Sequence, residues 1–439
     1  MPTAADAGVT QVRELLGRRD FRLLFAARTA SVLGNAVVPV AVAFAVLDLT
    51  GSATDLGIVL AARFVPQLVL LLVGGVLADR LPRYRVMIAG ELLSVTAYAL
   101  VGAMFVSGWA PLPALALSAA VGGVGVALIY PSLVGLVPEV VPGSRLQAAN
   151  GLLRLGTNTA RIAGYAMAGA VVVAVGAGWA SGVGAAMFLL AAGLLDALRL
   201  PTAGRVVAAG HSTFADLRDG WREFASRQWL WVIVLQFSFM VAAIQAAHGV
   251  LGPVVAKQEM GGAPAWSAVL AGEAVGLMVG VFIAIRIRPR RPMLVATLLM
   301  LPTIAPFVLL GVAAPLWIVV AGAAVMGICF DIFGVLWETT LQREIPAEAL
   351  SRVGSYDALG SLMFGPVGVL IAGPVAAAVG ARPALLGCAL VMTVATLAAL
   401  TSPDVRRMRA RPGTEPVAPV PPHPDQSAIM PELAYPPVT

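Results

Sequence analysis

Charge is what this sequence has least of. Asp, Glu, Lys and Arg make up 12% of its 439 residues, whereas soluble proteins carry about a quarter. A chain so poor in charge and 59% hydrophobic cannot cover a water-facing surface, which excludes an ordinary soluble enzyme or binding domain. Cysteine is nearly absent: Cys329 and Cys388 both fall inside long apolar runs, so neither a disulfide framework nor a CxxC-type metal site is supported and inert buried thiols are expected. The chain has no Walker-type phosphate loop and no nucleophile, base and oxyanion set on a polar domain. ATP hydrolysis and other enzymatic chemistry are therefore unsupported, and no cofactor or metal is expected.

What the sequence has instead is long apolar runs. Hydropathy read over about 19 residues gives about twelve, at 22–47, 56–78, 85–107, 112–137, 147–175, 179–199, 229–255, 264–286, 292–313, 315–341, 351–379 and 383–401. Each suffices to cross a hydrocarbon core about 30 Å thick as a helix rising 1.5 Å per residue. Continuous runs of this length exclude the short alternating strands of a membrane barrel. The fold class is all-α, a polytopic membrane protein. The first run is too long and too polar-flanked for a cleaved signal peptide and is expected to remain as the first span.

A net charge of +6 raises nucleic acid as a partner, but the positions of the charges point to a lipid bilayer. Lys257 and Arg382 fall in loops on one side, and Arg28, Arg63, Arg154 and Arg161 fall inside spans. All other basic residues crowd the opposite side, which the positive-inside rule makes cytoplasmic. Both termini are then cytoplasmic, as an even number of spans requires.

Residues 1–20 form a cytoplasmic N-terminal segment, and most loops are short. The long exception is 200–228, where Phe214, Leu217, Trp221 and Phe224 recur at helical spacing opposite Arg218, Arg222 and Arg227, which predicts an amphipathic helix on the inner membrane surface. Residues 402–439 become Pro-rich and are expected to be disordered.

The central loop separates two similar halves, 21–199 and 229–401. Shifted by 204 residues, 141–178 lies over 345–382 without a gap: Pro142/Pro346, Leu146/Leu350, Gly156/Gly360, Gly164/Gly368, Gly169/Gly373 and Gly176/Gly380 coincide, as do Gly123/Gly327 upstream. Two six-helix bundles in parallel repeat suit rocking about a site held between them near mid-membrane. Gly272, Gly276 and Gly280 are spaced for close helix approach, compatible with sliding or with plain packing.

Between spans 2 and 3 the sequence reads GGVLADRLPRYR. Gly75, Asp79, Arg80, Arg83 and Arg85 resemble the loop signature of the major facilitator superfamily, with Pro82 at its second glycine position and Tyr84 at a basic one. The twelve spans, the repeat and the long loop agree with that resemblance over residues 20–402. The stretches FRLLFAARTASVLGN and WETTLQREIPAEALSRVGSYDALGS are similar to the drug-exporter branch that includes macrolide and siderophore efflux proteins. The resemblance implies a conformational latch in which Asp79 meets the backbone near Leu350 to Val353 when the cytoplasmic side is closed. Two family features are altered: the span-5 motif reads GYAMAG, with Tyr165 in place of proline, and span 4 lacks an arginine near its start.

Charges within the spans are candidates for function, because each costs at least about 2.5 kcal/mol on insertion scales. Gln147, Asn150, Arg154, Asn158 and Arg161 recur every three or four residues and form one polar stripe, with Arg161 about 20 Å deep. Asn35, on a face with Arg28 and Ser31, reaches similar depth. These residues, with Phe330, are the expected substrate cavity, and Tyr130, Phe237, Phe239, Phe333 and Trp337 could add to its wall. Glu273, Asp331 and Glu338 are the candidates for proton coupling. The competing reading makes Glu273 or Asp331 a structural partner of Arg161 or Arg63. Asp196 is expected to pair with Arg199, Asp357 to sit near a helix start, Glu91 to snorkel and His248 to lie at the surface.

The sequence thus describes a monomeric plasma-membrane transporter that exports an amphipathic small molecule, with the proton gradient as its partner. Two rivals stay open: an importer or facilitator of a polar or anionic metabolite, and a scaffold or sensor that transports nothing.

Overall fold

The computed structural model describes residues 13–142, 145–198, 221–284 and 286–409; for 71–80, 130, 134, 147, 347–352 and 355 it describes the backbone alone. Among the described residues, twelve helices are long and apolar enough to cross a membrane, one for each run in the sequence. They are α1 (Arg19–Thr50), α2 (Ala53–Arg80), α3 (Arg83–Ser107), α4 (Leu112–Val140), α5 (Leu146–Val175) and α6 (Ala177–Asp196). After the central segment come α7 (Gln228–Glu259), α8 (Ala263–Ala284), α9 (Pro292–Gly311) and α10 (Leu316–Glu344). The bundle is completed by α11, in two pieces (Ala347–Leu362 and Gly365–Val379), and α12 (Ala381–Thr401). The α7 span is interrupted by a π-turn over Ala247–Leu251. Apolar side chains and internally bonded backbone explain why each run is helical; in hydrocarbon no other open segment satisfies its amides.

Helices end where the sequence offers a left-handed residue. Gly51 and Gly108 close α1 and α3 at φ 63° and 73°, a conformation without cost for a residue lacking Cβ. The described chain begins at Arg13 and ends at Arg409 on one face of the bundle, here called the near face. The α1–α2, α3–α4 and α5–α6 joints and their second-half counterparts lie on the far face.

Within the first half α2 packs on α4, α3 on α4 and α6, and α1 on α5 and α6; in the second, α8 packs on α10, α9 on α10 and α12, and α7 on α11 and α12. The two halves meet along two seams, α5 against α8 and α2 against α11. The glycines that coincide in sequence occupy equivalent places in this pattern. A methyl group at Gly123 would strike the Arg63 carbonyl of α2, and one at Gly327 the Glu273 carbonyl of α8. Gly164 lies against Ala36 of α1, as Gly368 does against Ala242 of α7. Gly169 and Gly373 face Ser267 of α8 and Thr54 of α2, one in each seam. Gly176 and Gly380 turn the last joint of each half at φ 87° and 92°.

The stripe Gly272, Gly276 and Gly280 lies against the Val320, Ala324 and Ile328 carbonyls of α10. It is packing within one half, not a sliding surface between the two. Near the start of the described residues Glu14 forms an ion pair with Arg145.

Two outer segments are described only in part. Of the central amphipathic pattern, Phe214, Leu217 and Arg218 lie outside the described residues. Trp221 and Phe224 stack together at 5.7 Å and lie 5.6 and 6.0 Å from Tyr356 of α11, so this end of the segment packs on protein. Residues 403–407 of the expected disordered tail form a short helix, α13 (Pro403–Arg407), with Val405 buried; one apolar side chain seated against the bundle orders it. Residues 410–439 lie outside the described residues.

The crossings give a paired test. Gly276→Ala should lower stability by about 1–3 kcal/mol through overpacking, whereas Gly193→Ala, where a methyl meets nothing within 4 Å, should gain up to about 1 kcal/mol of helix propensity. Thermal melting of the two purified variants in detergent checks the opposite signs.

Candidate functional site

Between the halves lies a cavity of three contiguous chambers, the middle one sharing Arg28 with the first and Arg154 and Asp331 with the third. The deepest, about 310 Å³, is lined by Arg28, Asn35, Arg63, Arg161 and Tyr165. The middle one, about 590 Å³, adds Asn150, Thr157 and Asn158, and reaches Pro138 and Leu146 at the near-face ends of α4 and α5. The third, about 370 Å³, runs along the second half beside Phe237, Phe330, Phe333, Trp337 and Asp357. On the far side the seams are shut: Gly57 meets the Val369 carbonyl, Gly169 meets Ser267, and Lys257 Nζ of α7 lies 2.6 Å from Asp48 Oδ1 of α1. The molecule is open on the near face and closed on the far face.

The first-half wall is polar. Asn150, Arg154, Asn158 and Arg161 all face the cavity, as the three-to-four spacing requires; the Gln147 side chain lies outside the described residues. Arg63 Nη2 donates to Asn35 Oδ1 at 3.2 Å, and Asn35 Nδ2 donates to the Ser31 carbonyl at 3.1 Å. These bonds fix the Arg63 guanidinium while its Nε finds no partner. Among the described residues Arg161 forms no hydrogen bond or ion pair. Glu91 does not snorkel: it is 1% exposed and sits beside Ser31 and Arg28, because α3 turns this face inward against its own bundle.

The second-half wall is aromatic. Phe237, Phe333 and Trp337 form a ladder of near-parallel rings, 5.5 Å apart at 4° and then 6.4 Å apart at 5°, with Phe330 5.6 Å from Phe237. Asp357 lies within α11, away from its start, and accepts Trp337 Nε1–H at 3.0 Å, which locks the indole. Asp331 borders the cavity on the α10 side within the field of Arg154 and Glu338. Across the opening Arg154 Nη2 and Glu338 Oε2 stand 3.6 Å apart with 62% and 59% of their side chains exposed; a pair so wet contributes little. Phe239 faces away, onto a lateral apolar groove with Phe364.

Glu273 is set back from the cavity and pairs with neither Arg161 nor Arg63, and Asp331 reaches neither of them within 4 Å. Glu273 Oε2 instead lies 3.6 Å from His248 Nε2, both about one-fifth exposed. His248 is no surface residue. Its ring rests 6.0 Å from Trp266 and 5.8 Å from Phe307. The π-turn carrying it adds a residue to the α7 register and swings the imidazole inward, a device recurrent at functional sites. Tyr165, on the facing helix of the other half, lies in the combined field of Arg161, Glu273 and Arg63. His248 and Tyr165 are the functional candidates that sequence periodicity alone does not single out. An acid one seam away and a motif position held by an unusual residue were the available signals.

Of the loop signature, the side chains of Asp79 and Arg80 lie outside the described residues, as do those of 347–352 opposite them, and Gly75 is described only as part of the α2 backbone. Arg83 donates to the Gly135 carbonyl and, at 3.2 Å, to Glu139 Oε1, binding α3 to α4. Arg85 Nε donates to Tyr84 Oη at 3.1 Å. The expected pairing of Asp196 with Arg199 falls on Arg199, which is outside the described residues.

Comparison with known proteins gives this geometry a setting. The model of the Major Facilitator Superfamily matches residues 24–365. The enterobactin exporter EntS of Salmonella typhi is 26% identical over 416 residues, spanning 89% of this chain and 94% of its own. The multidrug efflux pump Tap of Mycolicibacterium fortuitum is also 26% identical over 416 residues, spanning 88% and 96%. Among solved structures, the nucleoside transporter NupG superposes with a TM-score of 0.67 at 14% identity, over 87% of this chain and 98% of its own.

The one-sided opening is directly testable. In a chain with Cys329 and Cys388 replaced by Ala, Asn158→Cys should react with a charged, membrane-impermeant maleimide supplied to the near face, and Ser267→Cys, buried in the α5–α8 seam, should not. Labelling in vesicles of known sidedness also fixes which face is cytoplasmic.

Proposed function

The chain belongs to the major facilitator superfamily and is a multi-pass transporter of the cell membrane, not an enzyme; from that premise we propose that it exports an amphipathic small molecule in exchange for protons, by alternating access. The observation that carries this reading is a cavity between two similar halves, open on one face and shut on the other, with a polar wall opposite an aromatic one. The excess of basic residues in the near-face loops makes that face cytoplasmic, so the state described is inward-open and takes cargo from inside. The names of the relatives at 26% identity, an exporter and an efflux pump, support the outward direction.

In this reading the halves 21–199 and 229–401 move as bodies within a single monomer, and the loop of Gly75, Asp79, Arg80, Arg83 and Arg85 latches the cytoplasmic side when it closes. The Asp48–Lys257 pair is the corresponding tie on the outer side. Proton coupling is assigned to Glu273 with His248: the two sit at the back of the α5–α8 seam, where opening the outer face changes their access to water. Asp331 and Glu338 face the cavity itself and are the second place a proton can be exchanged. Uptake of an anionic metabolite, the competing direction, draws on the same arginines and predicts accumulation where export predicts depletion.

Cells expressing the protein and loaded with fluorescent dyes of differing charge check these assignments. Efflux of at least one dye should collapse when a protonophore dissipates the gradient. Glu273→Gln should abolish efflux at unchanged membrane abundance, and His248→Gln should shift its pH profile. Wild-type efflux by Glu273→Gln removes that residue from coupling, and gradient-independent movement in both directions makes the protein a facilitator.

A further inference from the structure

The deepest chamber contains an arrangement that the export reading does not by itself require. Arg28, Arg63 and Arg161 converge on it with Tyr165 and Asn35, and no carboxylate is among its lining residues. Arg28 has Glu91 beside it, so its charge is matched from behind the wall. Arg63 and Arg161 have no ion-pair partner within 4 Å among the described residues, and Glu273, which shares the surroundings of Tyr165 with them, is turned to His248. Two half-buried guanidiniums held in one chamber without a counter-ion repel one another and leave an excess of positive charge there. A negatively charged ligand group offsets that excess, and a guanidinium offers it a fork of donors matched to carboxylate, sulfonate or phosphate oxygens.

The second-half wall states the rest of the ligand. Under the 204-residue shift, the stripe Asn150, Arg154, Asn158 and Arg161 falls on Gly354, Ala358, Leu362 and Gly365, and Ala358 and Leu362 line the cavity from the opposite side. Equivalent positions are therefore polar or cationic in one half and apolar in the other. Beside the apolar set stands the ladder of Phe237, Phe333 and Trp337, whose parallel faces suit a flat ring.

Resting on the transporter reading above and deepening it, we infer that the cargo is an aromatic organic anion: its acidic group sits at Arg63, Arg161 and Tyr165, and its ring lies toward Phe330, Phe333 and Trp337. Asn35 serves as a positioning residue that holds the Arg63 guanidinium through its 3.2 Å hydrogen bond. The carboxylates on the opposite wall, Asp331, Glu338 and Asp357, border the aromatic end and disfavour a reversed orientation.

The test is binding of two matched probes, naphthalene-2-sulfonate and (2-naphthylmethyl)trimethylammonium, to the purified protein in nanodiscs, read by quenching of tryptophan fluorescence. The sulfonate should bind at least about tenfold tighter than the ammonium, a difference of about 1.4 kcal/mol. Arg161→Gln and Arg63→Gln should each weaken the sulfonate about tenfold and leave the ammonium unchanged; Arg161→Lys should recover part of the loss, and Phe330→Ala should weaken both probes. Equal or tighter binding of the ammonium overturns the inference, as does full sulfonate affinity in the Arg63→Gln, Arg161→Gln double variant with an unaltered melting temperature. Proton-dependent dye efflux is measured separately. If it persists without sulfonate preference, only the cargo class is wrong; if sulfonate preference holds without proton dependence, only the coupling is.

Discussion

Hydrocarbon gives a charge no counter-ion and no water, and this constraint organises the molecule. Every charged side chain within a span has to find a partner, a cavity or a route to the surface. Arg154 and Arg161 face the cavity between the halves. Glu91 turns inward beside Arg28, and Glu273 retreats behind a seam to His248. Polar residues therefore mark the inside of the bundle more sharply than apolar ones mark its outside. Leu, Val and Phe cover the lipid-facing surface and fill the cores alike, so hydrophobicity by itself does not distinguish the two.

Against this, the backbone geometry rests on residues with no chemistry at all. The glycines coincident at a shift of 204 do the same work in both halves: Gly123 and Gly327 let α4 and α10 approach α2 and α8, and Gly169 and Gly373 close one seam each. Duplication is conserved where backbones touch and erased where the cavity is lined. Packing glycines tolerate no substitution without moving a helix, whereas a lining position tolerates any side chain that the cavity can hold. The pairs Arg154/Ala358 and Asn158/Leu362 show the second freedom being used.

The spans, their number and the stripe on α5 were legible in the sequence because each depends on local composition or on a 3.6-residue period. The cavity positions of Asn35, Arg154, Asn158 and Arg161 followed from the same arithmetic; Phe330 was one aromatic among several that no period singled out. His248 was not legible, since its place near the end of its span suggested the surface and no local pattern announces the π-turn that carries it. Glu91 was misplaced because depth counted from the helix end says nothing of which neighbour covers a face. The tie between Asp48 and Lys257, like the contact of Phe224 with Tyr356, joins residues far apart in the chain that no local pattern relates.

The position of Glu273 behind the cavity, and not within it, bears on how exchange can be enforced. An anion held at Arg63 and Arg161 and a proton held at Glu273 stabilise one another, because each relieves the charge the other leaves unbalanced. Affinity alone would then favour moving both in the same direction. Antiport of an anion against a proton has to be enforced by access. The α5–α8 seam is placed to do so: closed over Gly169 and Ser267 while the arginines face the near-side opening, it sets the carboxylate back from the chamber proposed to bind cargo. Driving force is not the limiting factor, since an anion leaving an interior-negative cell gains about 2.3 kcal/mol per 100 mV. In the proposed exchange the gradient would supply the energy, and the seam would decide the order of events.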